Sequence, residues 1–532
     1  MARGTARPLA LGLCWFASVA LLAWVGVKTS LAGLNSDGAV YLLLADALSP
    51  WRANDADFAL DLFGRYPFPP LLPALLAVTG GGSATPAWNY AIDAALQAAG
   101  VAAALAWARR AGAAWPLALC ASALLALTPV GLFTAMGVFS EPLYLALSFS
   151  AFALVATPAR NPRTWRAAAA LLGLAALARS VGLFAALALV AAWAWRGRRA
   201  GGLWVPTLAF APTLAWQACK ALAGWRGSYT EALFAGGLAQ VLPDLAAQLG
   251  VNLRAIAYHA PRTLDLLGGD LAAWTCALLT PLVLLGWWRR VVTGAPDALY
   301  VALYAAVIVV WPFPNHYPRF LLVLLPLLAT CAGLGLAALL GRVGASRWTG
   351  AAHGALALVL AAVIAPSAVQ VLGSVARAAD ARDALHTRLA AWYEADSAAA
   401  ADARVSYGLR VLDAMAALDA HVPADACVSA TMPEMVMLHA RRLAVKPPGA
   451  DADDATLAAA LTRCPYVLLL RATAFPDREY PFYYPLARLP RDLDVLYSMP
   501  LTPGAEGGEA LALLVRARAA VAAPSRSAGQ AN

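Results

Sequence analysis

PLALGLCWFASVALLAWVGV, residues 8–27, carries no charged side chain. It has roughly the 20 residues that a helix needs to cross a hydrocarbon core of ~30 Å. Arg3 and Arg7 precede it and Lys28 follows. A basic start before an apolar run of this length reads as an uncleaved anchor with its N-terminus in the cytoplasm. The small residues Ser30–Gly33 would also fit a cleaved signal peptide, but the apolar run is long for one.

The rest of the chain repeats that pattern. Its 532 residues are 61% hydrophobic and 13% charged, too apolar for a soluble globular protein. Further spans are expected near Trp88–Trp107, Pro116–Phe133, Pro142–Val155, Trp165–Ala178, Val181–Trp195, Leu203–Leu222, Ala272–Trp288, Ala298–Trp311, Phe320–Leu340 and Ala351–Leu372. The expectation is an α-helical polytopic membrane protein of about eleven transmembrane helices, since the runs are continuously apolar and lack the alternation of a barrel.

The net charge of +9 is informative through its position. With the N-terminus inside, the cytoplasmic links hold Arg109 and Arg110, then Arg160, Arg163 and Arg166, then Arg196, Arg198 and Arg199, then Arg289 and Arg290, then Arg342 and Arg347. Each is basic, as the positive-inside rule requires, so the partner of this charge is the lipid bilayer and no nucleic acid is called for. The outside links are long, about 28–85 and 223–271, or short with isolated Arg179 and Arg319. An odd number of spans places the C-terminus outside, in the periplasm of the inner (plasma) membrane.

From about residue 376 the charge returns and helices alternate with strands. A polar helical stretch, Ala378–Ala420, precedes β-like Ala426–Ala430, a helix Pro433–Arg441, Leu443–Lys446, a helix Asp454–Arg463, Tyr466–Arg471, and late strands near Val495–Ser498 and Leu511–Val515. This reads as a small extracytoplasmic α/β domain over 376–518, with a disordered tail at 519–532. Five of the seven cysteines sit in or beside spans as small apolar residues. Cys427 and Cys464 start two strands in an oxidising compartment, and adjacent parallel strands would let them bond. There is no CxxC pair, HExxH, P-loop or GxSxG elbow, which argues against zinc chemistry, ATP hydrolysis and an α/β-hydrolase.

The first outside loop, 28–86, contains two apolar stretches too short to span, Ala39–Leu48 and Pro70–Val78, expected as amphipathic interfacial helices. Asp37 stands at the start of the first, and RYPFPP, residues 65–70, leads into the second. The short second outside loop, GVFSEPLY (137–144), brings Glu141 to the same face. Arg179 tops the fifth and sixth spans, and NHYPRF (315–320) tops the ninth and tenth.

In this order the motifs SDGAVY (36–41), YPFPPL (66–71), SEPL (140–143), ARSVG (178–182) and RFLLVLLP (319–326) resemble the GT-C superfamily of integral membrane glycosyltransferases. The resemblance is to the branch of protein O-mannosyltransferases and lipid A aminoarabinose transferases, and covers about residues 1–375. It implies a transmembrane catalytic domain that transfers a sugar, with inversion, from a polyprenyl-phosphate donor to a hydroxyl on a glycolipid, surface polymer or protein. No nucleotide sugar is involved. The chemistry needs a base for the acceptor proton, for which Asp37 is the candidate, and Glu141 matches the family's second loop acid, which orients the acceptor or a metal. Fixed cations must stabilise the leaving phosphate, with Arg319, Arg65 and Arg179 as candidates in that order and His316 and Tyr317 in support. Tyr41 and Tyr66 are the substrate-binding candidates. Some family members use a divalent cation and others do not, so Asp37 and Glu141 alone assign none.

Each residue also has a plainer role. Asp37 can N-cap its helix together with Asn35 or Ser36, and Glu141 can decorate a solvated turn. Arg179 and Arg319 can snorkel, and Pro69 and Pro70 can shape a helix entry. Asp93 and Gln97, a turn apart inside the second span, need buried partners. Two other classes also take lipid-linked sugars. A flippase would show two related halves, and a polysaccharide polymerase or ligase would centre on the loop 223–271 with Trp225, Arg226, Arg254, Tyr258, His259 and Arg262.

Overall fold

The computed structural model describes residues 6–29, 36–51, 62–66, 68–157, 161–196, 202–225, 238–265, 269–311, 317–377, 412–430, 432–448, 452–470, 493–500 and 510–517. By compactness the chain divides into two units, Met1–Leu31 with Leu44–Tyr393, and Ala32–Leu43 with Glu394–Asn532.

The first unit is a helical bundle. Its helices are α1 (Ala6–Thr29), the end of α2 (Ser36–Leu48), α3 (Leu62–Arg65), α4 (Leu71–Val78), α5 (Pro86–Ala111), α6 (Trp115–Leu127), α7 (Pro129–Met136), α8 (Glu141–Val155), α9 (Pro162–Ala178), α10 (Gly182–Trp195), α11 (Trp204–Leu222), α12 (Leu238–Leu264), α13 (Asp270–Val292), α14 (Pro296–Val309), α15 (Tyr317–Arg342) and α16 (Thr349–Arg377). Every span expected from the sequence is helical. Among the described residues four stretches are long and apolar enough to cross a membrane, Pro86–Ala111, Asp270–Val292, Tyr317–Arg342 and Ser346–Arg377, and a bent pair, Trp115–Leu127 with Pro129–Met136, makes a fifth if it is one span. The chain is therefore a helical membrane protein. Other expected spans are shorter; α8, with 15 residues, rises only ~22 Å.

One expected span, Pro116–Phe133, is a broken pair. Helices α6 and α7 meet at 46° around Thr128, because Pro129 has no N–H and cannot continue the ladder. The carbonyl freed at Leu125 is not left bare. Gln97 of α5 donates its side-chain amide to Leu125 O at 2.7 Å and to Gly131 O at 2.8 Å, and the Thr128 hydroxyl accepts from Gly131 N–H. The buried Gln97 amide nitrogen thus finds its acceptors at and just after the break, while its Oε1 has no hydrogen-bond partner among the described residues.

The two stretches expected to be amphipathic are helical, but α2 does not have two faces. Residues Gly38 to Ala45 are buried throughout, so the alternation expected of an interfacial helix is absent there. Its end is tied down within the first unit, where Asp46 accepts from the Ser83 hydroxyl and from the Ser83 N–H at 3.1 Å.

The second unit holds the C-terminal domain. Its helices are α17 (412–421), α18 (Pro433–His439) and α19 (Asp454–Arg463). Its strands are β1 (Val428–Ala430), β2 (Ala444–Val445), β3 (Tyr466–Leu470), β4 (Leu493–Pro500) and β5 (Ala510–Ala517), in the order β2-β1-β3-β5-β4. β2, β1 and β3 are parallel; β5 runs antiparallel to β3 and β4 antiparallel to β5. Leu457 and Leu461 of α19 pack against Val467, Leu469 and Val515 of the sheet. Because β1 lies beside β3 in parallel, the residues just before them are neighbours, and Cys427 and Cys464 form a disulfide. Of the expected helical stretch Ala378–Ala420, residues 378–411 lie outside the described residues and the remainder is helical; the tail 519–532 also lies outside them.

Candidate functional site

Glu141 opens α8 and is fully buried, which removes its plainer reading as an acid decorating a solvated turn. What keeps it there is a pair of arginines from distant parts of the chain. Arg179 Nη1 lies 2.6 Å from Glu141 Oε1, and Arg319 Nε donates to the same oxygen at 2.5 Å. Both guanidinium groups are largely buried, with side-chain exposures of 16% and 9%. Neither therefore snorkels to water, which removes the plainer reading of both.

Local sequence explains how each reaches the acid. Arg179 caps the C-terminus of α9 in extended conformation, and α10 starts three residues later at Gly182. A Cβ at Gly182 would come within 2.5 Å of the Ala175 backbone, so only glycine lets the chain turn this sharply. Arg319 stands in the first turn of α15. Two phenylalanines complete the cluster: Arg319 lies 4.3 Å over the Phe139 ring and Arg179 5.7 Å over Phe320, each guanidinium against an aromatic face. The stretch 137–140 that leads into Glu141 is fixed by Asp93 of α5, whose Oδ2 accepts from the Phe139 N–H at 3.2 Å. Among the described residues, Asp93 Oδ1 and Glu141 Oε2 are buried without a hydrogen-bond partner.

The other candidates are placed as follows. Asp37 lies in the first turn of α2, where its charge complements the helix N-terminus. Asp37 and Tyr41 fall in the second unit, and Tyr41 is buried. Tyr66 stacks on Phe68 with ring centroids 5.5 Å apart. The Tyr317 hydroxyl donates to the Ile308 carbonyl at 2.8 Å, which gives it a structural partner where a phosphate donor was expected. The side chain of Arg65, and His316 as a whole, lie outside the described residues.

Phe139 and Phe320 were missed by sequence reasoning; the signal was their place next to Ser140–Glu141 and Arg319. Asp93 was marked only as needing a partner. A second buried pair, Arg290 bidentate on Asp297 at 2.7 Å, was also missed; it joins the end of α13 to the start of α14.

The site is thus a preorganised cationic cluster. Each guanidinium offers five donors in a fixed fork, and Glu141 Oε1 takes one from each. Among the described residues no three His, Cys, Asp or Glu side chains come together.

No family model matches the chain, and no curated protein matches it in sequence. In structure it is similar to ArnT from Cupriavidus metallidurans bound to undecaprenyl phosphate, at 14% identity and TM-score 0.48, covering 98% of each chain. It is also similar to the Archaeoglobus fulgidus oligosaccharyltransferase in complex with zinc and sulfate, at 14% identity and TM-score 0.44, over 85% of this chain and 67% of that one. AglB from the same organism, in complex with an inhibitory peptide and a dolichol-phosphate, gives 13% identity and TM-score 0.43, over 85% and 69%.

Proposed function

We propose that the chain is an inverting glycosyltransferase of the GT-C type, which moves a sugar from a polyprenyl-phosphate donor to a hydroxyl acceptor at the periplasmic face of the inner membrane. The observation that carries this reading is the Arg179–Glu141–Arg319 cluster. Buried guanidinium groups locked on a carboxylate cannot reorganise when charge develops nearby, which is the condition for strong electrostatic stabilisation of a leaving phosphate. Glu141 holds the two forks in place, and we assign the donor phosphate to them.

In the reaction the acceptor oxygen attacks the anomeric carbon as the bond from that carbon to the phosphate oxygen breaks. The electron pair stays on the phosphate, where Arg179 and Arg319 stabilise it, and the acceptor proton passes to Asp37. A single displacement inverts the anomeric centre. Arg65 and His316 add donors to the phosphate, and Tyr41 and Tyr66 line the sugar. The topology that goes with this is eleven crossings, N-terminus inside and C-terminus outside, with catalysis in residues 1–375 and a periplasmic domain over 376–518. The basic links and the oxidised Cys427–Cys464 pair support that sidedness.

The test is a comparison of glycolipids and surface glycans from a deletion strain and its parent by mass spectrometry. One sugar is lost and its polyprenyl-phosphate form accumulates. Unchanged glycans and lipids would exclude the reading.

A further inference from the structure

Helix α5 carries Asn89, Asp93 and Gln97 at intervals of one turn, so all three stand on one face. Each is buried, and each bonds to the backbone of a different segment. Asn89 pairs with Gly82, accepting from its N–H at 3.0 Å and donating to its carbonyl at 2.8 Å. Gln97 holds the break at the start of α7. Asp93 reaches past the far end of α7 and accepts from the Phe139 N–H, two residues before Glu141.

Asp93 is the costly member of this face. A carboxylate within a membrane-crossing helix is expensive, and here its Oδ1 has no hydrogen-bond partner among the described residues. What it offers in return is a firm hold: a carboxylate only accepts, and it binds an N–H more strongly than a neutral amide does. That hold acts on the short connection into the arginine cluster. The Phe139 ring packs on Phe133 of α7, with centroids 5.3 Å apart, and lies 4.3 Å from the Arg319 guanidinium. Ser140 follows, with its hydroxyl oxygen 3.5 Å from Arg179 Nη1, and then Glu141 itself. A shift of the Phe139 backbone therefore moves the face beneath one guanidinium and the acid that both share.

We infer that Asp93 is a positioning residue for the phosphate site: by holding the Phe139 N–H it sets the aromatic face on which the Arg319 guanidinium rests, and the place of Glu141 between the two arginines, without touching substrate. The inference rests on the phosphate-binding reading of Arg179 and Arg319.

The experiment measures undecaprenyl phosphate affinity of the purified full chain for Asp93→Ala, Asp93→Asn and Phe139→Leu, each made with Arg319 intact and again in an Arg319→Ala background, beside thermal melting. Residues that act through one another couple, so Asp93→Ala and Phe139→Leu each weaken binding about tenfold when Arg319 is present and less than about twofold when it is absent. Asp93→Asn keeps an acceptor and loses the charge, so its loss is smaller, about threefold, with the same dependence on Arg319. Asparagine and the Phe139 variant carry the test if Asp93→Ala does not fold. Gln97→Leu, on the same helix face but bonded elsewhere, is the control for a purely structural effect: it lowers the melting point and leaves affinity within about twofold of wild type. Equal losses in both backgrounds, affinity unchanged with Arg319 present, or a loss in Gln97→Leu as large as in the Asp93 variants would overturn the inference alone. A wild-type protein that binds no undecaprenyl phosphate would overturn the phosphate reading and the inference with it.

Discussion

Arg319 Nε and Glu141 Oε1 lie 2.5 Å apart although 178 residues separate them in the chain. The contact closes the bundle on a buried acid shared by two arginines. Breaking such a pair from one side leaves charge buried without compensation, and this gives the first prediction. Glu141→Gln keeps the size and removes the charge, so the protein should lose on the order of 3–5 kcal/mol of stability. Melting in detergent measures it; a variant that melts with wild type would mean that the arginines have other sufficient partners.

Gln97 is the second place to test. Gln97→Leu fills much the same volume and removes the side-chain donor to the Leu125 carbonyl, at a cost of about 1–3 kcal/mol, while Gly131 O keeps the Thr134 hydroxyl. The expected result is a lowered melting point with donor affinity retained, because the break lies away from the arginines in the chain. An unchanged melting point would show that the break at Pro129 satisfies itself.

His259 gives a pH dependence. It lies on α12, outside the expected spans, with its ring edge-on to Tyr317. Burial first, and the neighbouring Arg262 second, hold its pKa down to about 4 from an ordinary 6.5. A group depressed in the folded state takes up its proton more readily when unfolded. Its contribution to stability is therefore complete above pH 6.5 and is lost progressively as the pH falls towards 4. His259→Gln should flatten the melting curve's dependence on pH in that window, and an unchanged slope would show that His259 titrates normally.

For Asp37 the proposed role and the structural one separate cleanly. Asp37→Asn removes the proton acceptor, so transfer should fall by roughly 10²–10⁴-fold. As a charge in the first turn of α2 it is worth only about 0.3–1 kcal/mol of stability. A folded Asn variant with full transfer activity would take Asp37 out of the mechanism.

Much of this molecule was legible in the sequence for a simple reason: runs of Leu and Ala without charge leave few alternatives to a helix, and polar punctuation marks their ends. The strands around Val428, Tyr466 and Leu513 were legible through their β-branched and aliphatic residues. Their order was not, because pairing β3 with β5 depends on long-range fit. The break at Pro129 was hidden inside an apolar run, since what makes it tolerable is a glutamine from another helix. Glu141 read as a loop acid because its neighbours are small and turn-forming. Its burial is decided by Arg179 and Arg319, and nothing local announces that two distant arginines will share one oxygen.

The central claim is that the two arginines bind the phosphate of a lipid-linked donor. It is tested most directly by the affinity of the purified chain for undecaprenyl phosphate, compared with that of the Arg179→Ala, Arg319→Ala double variant. A charge-assisted hydrogen bond contributes about 1.5–3 kcal/mol, so loss of both should weaken binding by at least about a hundredfold while lysine at position 319 recovers only part. Equal affinity of the folded double variant and the wild type would contradict the account.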